Sequence, residues 1–317
     1  AEGRWRFEQL FVNGRRAVRA RTPNKFYQYM GETTETPIEG KPGQFVRTTT
    51  VPAETLSPLK GLSDAVALRD RAIALLEAAE AATTERLRRS LLHWVVVGAS
   101  FTGVELAGEF HVFLRQASRV YPGLRPDQCR ITLVELGERI LPALDPGLSG
   151  YATRQLRKRG VDVRLRASVA RIATDSVTLS DGEVLSANTV VWCAGIAPNP
   201  LLSRLGLPLD ERGYLIAETD LRVRGQDNVW GIGDCAVSPS PDGTPYAATA
   251  QNAVRQGEHL ARNLAGVLRN RPTRPMRYRP AGTLAALGCR TGVARLFGVK
   301  LSGFPAWFVW RSAYLLK

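Results

Sequence analysis

The stretch His93-Trp-Val-Val-Val-Gly-Ala-Ser-Phe-Thr-Gly-Val-Glu-Leu-Ala-Gly-Glu109 decides the fold. Three consecutive valines, Val95 to Val97, read as a strand buried on both faces, the pattern of a parallel sheet. Gly98 ends that strand and Gly103 opens a helix. The turn between them, Gly98 to Gly103 through Ser100, Phe101 and Thr102, resembles the dinucleotide-binding fingerprint with Ser100 at the middle glycine position. In that fingerprint glycines let the backbone turn tightly and approach a pyrophosphate, which rests on the free N–H groups of the helix N-terminus. A glycine-rich strand-to-helix turn that binds nothing is the competing reading of the same local pattern.

Arg130-Ile-Thr-Leu-Val-Glu135 reads as a second strand ending in a carboxylate. An acidic residue there can accept hydrogen bonds from both hydroxyls of an adenosine ribose and repels a 2′-phosphate, so Glu135 argues for NADH over NADPH. Further on, 146–159 reads as a helix stopped by Gly160, and 161–165 as a short strand. Segments 169–172, 176–179 and 183–186 read as an antiparallel excursion with a tight Ser180-Asp-Gly182 turn. Thr189 to Trp192 returns to the parallel sheet and ends at Ala194-Gly195, where glycine permits close approach of a flat ring. Ahead of the first strand, 64–82 has helical spacing, with Ser63 the N-cap candidate.

Four segments together resemble the flavoproteins of the pyridine nucleotide-disulphide oxidoreductase superfamily, and within it the type II NADH dehydrogenases. They are VVVGASFTGVELAGE (95–109), LVELGERILPALDP (133–146), NVWGIGDCA (228–236) and ATAQNAVRQG (248–257), with LSGFPAWFVWRSAYLLK at 301–317 matching a fifth region. The resemblance implies an α/β fold: a Rossmann-like NADH-binding domain (60–212) inserted in a partial Rossmann-like FAD-binding domain. Of the latter, 1–59 is a remnant and 213–270 the second half; 271–317 is a C-terminal segment facing quinone and membrane. It implies a non-proton-pumping NADH:quinone oxidoreductase, passing hydride from NADH to FAD and then two electrons to a quinone. Glu105 is the catalytic candidate at the flavin–nicotinamide junction. Gly233 and Asp234 would contact the ribityl chain, and Ala250 and Gln251 would start a helix pointing at the isoalloxazine. Gln251 and Gln256 match glutamines that line the quinone approach. Gly31 would be the glycine of a turn beside the flavin. Without the resemblance, Glu105 reads as a first-turn acid satisfying the helix dipole, and the two glutamines as solvated.

Composition narrows the classes. Hydrophobic content of 44% and charged content of 23% are those of a globular protein, and no apolar run is long enough to span a bilayer. Cys129, Cys193, Cys235 and Cys289 are far apart, which suggests reduced thiols in a cytosolic setting; with no CxxC or CxxxxC pair, the disulphide-reductase branch is disfavoured. His93, His111 and His259 show no metal-ligand spacing, so no metal is expected. The net charge is +14, and from Val254 to Lys317 twelve Lys and Arg face one acid, Glu258. That segment also carries Phe304, Trp307, Phe308, Trp310 and Tyr314. Basic residues beside aromatics suit an anionic membrane surface better than nucleic acid, for which no recognised module accompanies the charge. Packing of these aromatics against the rest of the chain is the alternative.

Nothing in 1–59 supplies the strand–GxGxxG–helix unit with which relatives hold the ADP half of FAD, and the chain reads as cut at both ends. Two other functions stay open: an NADH-binding fragment without flavin, and a sister flavoprotein that reduces a protein partner. The expected location is the cytoplasmic face of the cell membrane, held peripherally; a homodimer is compatible with the resemblance.

Overall fold

The computed structural model describes residues 62–195 and 197–315, together with the backbone of the strands Phe11–Val12, Arg15–Arg16, Met30–Pro37, Phe45–Thr50 and Leu56–Pro58. The side chain of Tyr314 lies outside the described residues, as does most of the segment 1–59 read as a flavin-domain remnant. The chain divides into two compact units, residues 28–195 with 281–317, and residues 1–27 with 196–280.

The larger unit is organised by a five-stranded parallel sheet in the order Leu56–Pro58, Thr189–Trp192, His93–Val97, Arg130–Val134, Val161–Arg164. The strand His93–Val97 lies at its centre and every residue of it is buried. Side chains alternate across a strand, so Trp94 and Val96 enter one core while Val95 and Val97 enter another. That is why the apolar run is uninterrupted: a polar residue at any of these positions would be buried without water. The first core is covered by the helices Leu62–Glu80, Phe101–Ala117 and Pro146–Lys158, through Leu76, Leu114 and Leu156 among others. The second is covered by the antiparallel sheet Val169–Ile172, Ser176–Leu179 and Val184–Ser186, through Val169, Val177 and Leu185. Each of these buried aliphatic side chains contributes on the order of 1.5–3 kcal/mol relative to exposure.

Residues after 280 form an antiparallel meander, Gly282–Ala286, Gly292–Leu296 and Val299–Gly303, followed by the helix Phe304–Leu315. Ala285, Leu287 and Val293 belong to the first core of the larger unit. The meander approaches the helix Phe101–Ala117 so closely that a Cβ on Gly108 would lie 2.5 Å from the Leu287 carbonyl. Arg159 donates to the carbonyls of Leu287 and Gly288 and to Thr291 Oγ1, pinning the turn between the first two meander strands.

The smaller unit has a modest apolar core, Leu202, Leu215 and Val223. A two-strand parallel pair, Leu215–Ile216 with Ala236–Val237, and the helix Ala250–Val267 complete it. This helix buries amides: Asn252, Gln256 and Asn263 are its buried residues. The Asn263 amide donates to the carbonyls of Asp220 and Arg274, and its oxygen accepts from the Arg274 N–H.

Several boundaries depart from the sequence reading. The larger unit runs to Gly195 and takes in residues 281–317. Gly31 lies inside the strand Met30–Pro37, not in a turn. Two helices begin two residues earlier than expected: Ser63 falls within the first turn of Leu62–Glu80 instead of capping it, and Phe101 rather than Gly103 opens the glycine-rich helix. Within the motif at 228–236, Trp230 forms an isolated antiparallel bridge with Arg222.

Candidate functional site

At the end of the central strand Gly98 turns the chain with φ +94, and its N–H donates to the Val134 carbonyl at 2.8 Å. The Cys193 N–H donates to the Val97 carbonyl at 2.8 Å, bringing the neighbouring strand end against this turn. A Cβ on Gly98 would stand 2.7 Å from the backbone of Ala194. A Cβ on Gly103 would fall 1.8 Å from the Gly98 carbonyl oxygen. Both glycines are therefore dictated by backbone meeting backbone, which lets the helix start directly beneath the strand end.

Ser100 is the N-cap of that helix and makes no side-chain capping bond. The N–H groups of the first turn, Phe101, Thr102 and Gly103, have no partner within the helix and present the positive end of its dipole. Thr102 is exposed and Phe101 half-buried. Glu135, at the end of the next strand, reaches back to this turn. Its Oε2 accepts from the Ala99 N–H at 2.6 Å and its Oε1 from the Gly137 N–H at 2.8 Å. A carboxylate has about four acceptor sites, so two bonds fix its orientation while two lone-pair directions stay open. Ala194 is half-buried, and Gly195, with φ +77, has open space where a side chain would be. Burial pushes the Cys193 thiol up to about 12, which keeps it protonated and without thiolate reactivity.

Glu105 is one turn further along the glycine-rich helix, half-buried and turned toward the meander. Its Oε1 accepts from the Ala286 N–H at 3.0 Å and from the Trp310 indole N–H at 2.8 Å. Burial raises its pKa above the ordinary glutamate value; the two donors oppose that rise and the neighbouring Glu109 adds to it. Glu109 itself is exposed. The aromatic helix is thus two-sided. Ala306 is fully buried and Trp310 turns inward, while Phe304, Phe308, Arg311 and Leu315 lie exposed on one face. Phe297, at the tip between the last two meander strands, is 87% exposed.

The remaining sequence candidates lie in the smaller unit. Gly233 and Asp234 sit in a 3₁₀ turn, Gly233–Cys235, with φ +68 at Gly233. Asp234 is exposed. Thr249 caps the helix Ala250–Val267 by accepting from the Asn252 N–H. Gln251 is half-buried and accepts from the Tyr278 hydroxyl at 3.1 Å. Gln256 is not the solvated glutamine that its local sequence alone suggests. It is 3% exposed, its Oε1 accepts from the Gly233 N–H at 2.7 Å, and its Nε2 donates to Ser238 Oγ at 3.1 Å. A side chain so committed positions the Gly233 turn.

Sequence reasoning missed Trp310 and Ala286 as partners of Glu105, because nothing local relates residues 205 positions apart. It also missed the Gln256 clamp, although a glutamine in a helix register shared with Asn252 and Asn263 hints at a buried amide face. Among the described residues no cluster of three or more His, Cys, Asp or Glu could hold a metal ion, and no helix is long and apolar enough to cross a membrane.

The chain is similar to known proteins in sequence and in fold. The family model described as pyridine nucleotide-disulphide oxidoreductase matches residues 46–257. A "Probable NADH dehydrogenase" of Dictyostelium discoideum is 32% identical over 270 residues, covering 83% of this chain and 59% of that protein. A type II NADH:quinone oxidoreductase of Mycobacterium tuberculosis is 30% identical over 277 residues, covering 83% and 58%. Among solved structures, NDH2 from Plasmodium falciparum in complex with NADH superposes with a TM-score of 0.76 at 17% identity, covering 86% of this chain and 75% of that one. The chain thus spans somewhat under two thirds of the length of these curated relatives.

Proposed function

The chain belongs to the pyridine nucleotide-disulphide oxidoreductase family, and on that premise we propose that it takes hydride from NADH onto FAD and passes two electrons to a quinone. The observation that carries the reading is the Gly98–Gly103 turn joined to Glu135, a bare helix N-terminus beside an oriented carboxylate. The N–H groups of Phe101, Thr102 and Gly103 would hold the pyrophosphate, with Ser100 at the rim. Glu135 would accept from the ribose hydroxyls and repel a 2′-phosphate, making NADH the donor. Ala194 and the side-chain-free Gly195 would lie against the nicotinamide.

Bound FAD supplies the two-electron relay between a hydride donor and a quinone. The residues present fit its ribityl end: Asp234 is an exposed carboxylate beside a glycine with positive φ. Gly233 would allow the approach, Asp234 would accept a hydroxyl, and Ala250 and Gln251, at the capped helix N-terminus, would stabilise negative charge. Glu105, with its raised proton affinity, would hold and release a proton at its carboxyl group during turnover. Gln251 would line the quinone approach. Phe304, Phe308 and Leu315, with Arg311 among them, would seat the protein peripherally on the anionic cytoplasmic face of the cell membrane.

The test is flavin absorbance and NADH:quinone turnover, measured on this chain and on a version extended at both ends. Bound flavin and a clear NADH preference over NADPH are expected in the extended protein. Equal affinity for the two nucleotides overturns the Glu135 reading, and an extended protein without flavin overturns the FAD reading.

A further inference from the structure

The sequence gives the C-terminal aromatics an outward face, yet Trp310 points inward and donates its indole N–H to Glu105 Oε1 at 2.8 Å. The Ala286 N–H, from the first meander strand, donates to the same oxygen at 3.0 Å. Two neutral donors therefore converge on one oxygen of a half-buried carboxyl, one from a strand and one from the terminal helix. A backbone N–H is present whatever the sequence. The indole is the donor that the sequence supplies, and it is the one carried on the helix whose outer face exposes Phe304 and Phe308.

We propose that Trp310 is a positioning residue: its indole N–H holds the Glu105 carboxylate in place from the C-terminal helix and makes the protonation of Glu105 depend on how that helix is seated. The importance of this for turnover rests on the role given to Glu105 under Proposed function; the contact itself does not.

A donor to a carboxylate favours the charged form, and a hydrogen bond to a charged group is among the stronger kinds. Burial works in the opposite direction and dominates. Removing the indole N–H therefore takes away a charge-stabilising partner and leaves the burial in place. Other ionisable groups do not compensate. The strand Gly-Thr-Leu-Ala-Ala at 282–286 carries none, Arg311 on the terminal helix is exposed, and Glu109 on the same helix as Glu105 pushes in the same direction as burial. A helix that shifts outward would have the same effect as deleting the donor. Trp310 thus offers a route by which events at the exposed face of the terminal helix reach a carboxyl group in the first turns of the glycine-rich helix.

The test reads the carboxyl directly on the chain without added cofactor. Side-chain carboxyl resonances of 13C-labelled glutamate are followed against pH, with Glu105 identified by the signal lost in Glu105→Gln. In Trp310→Phe, which keeps a ring but no donor, the Glu105 midpoint should rise by about one unit. A second measurement needs no Trp310 variant: the 15N indole resonance of Trp310 in the parent should titrate with the Glu105 midpoint and lose that titration in Glu105→Gln. A midpoint that stays put or falls in a folded Trp310→Phe, or an indole resonance indifferent to Glu105, overturns the proposal. Failure of flavin binding or turnover leaves both readouts intact, so the functional reading can fail separately. Where the extended protein holds flavin, the pH profile of its reduction by NADH should move in parallel with the midpoint.

Discussion

The molecule contains two glycine turns assigned to cofactor contacts, and they are built on different principles. At Gly98–Gly103 the main chain packs on itself: a side chain at Gly103 would meet the Gly98 carbonyl at 1.8 Å, beneath a strand with every residue buried. At Gly233 there is ordinary room, since an added Cβ would stand 3.6 Å from Ala253 Cβ, and the turn is held by one buried amide, Gln256. The first turn is a product of the sheet; the second is a product of hydrogen bonds. A turn can thus be preformed by packing or by polar tethering, and the two should respond to an added side chain with losses of different size.

The largest effect is expected from Gly103→Ala, which forces backbone apart: a loss of about 3 kcal/mol or outright misfolding, read by chemical denaturation. A loss under about 1 kcal/mol would mean that the turn is not packed as described. Next, Gln256→Leu strands the Gly233 N–H and should cost about 2 kcal/mol, detected as a lower thermal midpoint. If Gly233 is tethered elsewhere, this variant will melt with the parent. Glu135→Ser should narrow the preference for NADH over NADPH about tenfold, roughly 1.4 kcal/mol, in parallel titrations of both nucleotides. Unchanged selectivity would assign Glu135 to the support of Ala99 and Gly137 alone. Gly233→Ala should cost only about 1 kcal/mol, the penalty of a left-handed conformation in open space. A cost matching that of Gly103→Ala would erase the contrast between the turns.

The smallest effect concerns pH. The folded-state pKa of Glu105 is raised, by burial first, so the unfolded chain loses this proton before the folded chain does. Stability contributed by the protonated form is therefore present below the unfolded value and declines as pH rises through the folded one. Glu105→Gln keeps an acceptor oxygen for Ala286 and Trp310 but cannot ionise. The gap in melting temperature in favour of the variant should widen as pH rises from about 4 to about 7, the span above the ordinary glutamate value; a constant gap would mean that Glu105 titrates normally.

Legibility in the sequence followed the same division. Whatever depends on local periodicity was readable: the valine run, the acid closing the second strand, the antiparallel excursion with its Ser180–Gly182 turn and the helix stopped at Gly160. The family resemblance of the linked motifs is matched by the family comparison. What failed depended on distant chain. Gln256 looked, from its own neighbours, like a solvated glutamine because its partners at 233 and 238 lie on a different element. Trp310 looked like a surface aromatic because an inward turn on an amphipathic helix is decided by its target, Glu105, and no spacing encodes that. The edges of helices shifted by a residue or two because caps compete locally, and Ser63 lost to an earlier start.

The meander at 282–303 is synthesised long after the glycine-rich helix it packs on, yet it completes a core begun at Leu68. Until it emerges, the face of the glycine-rich helix around Gly108 lacks that cover, and the segment 196–280, which belongs to the other unit, must be accommodated in between. Contacts of this sequence separation are entropically expensive to close and slow to form. During synthesis the larger unit therefore has to wait for its last segment while the whole of the smaller unit's second portion is translated.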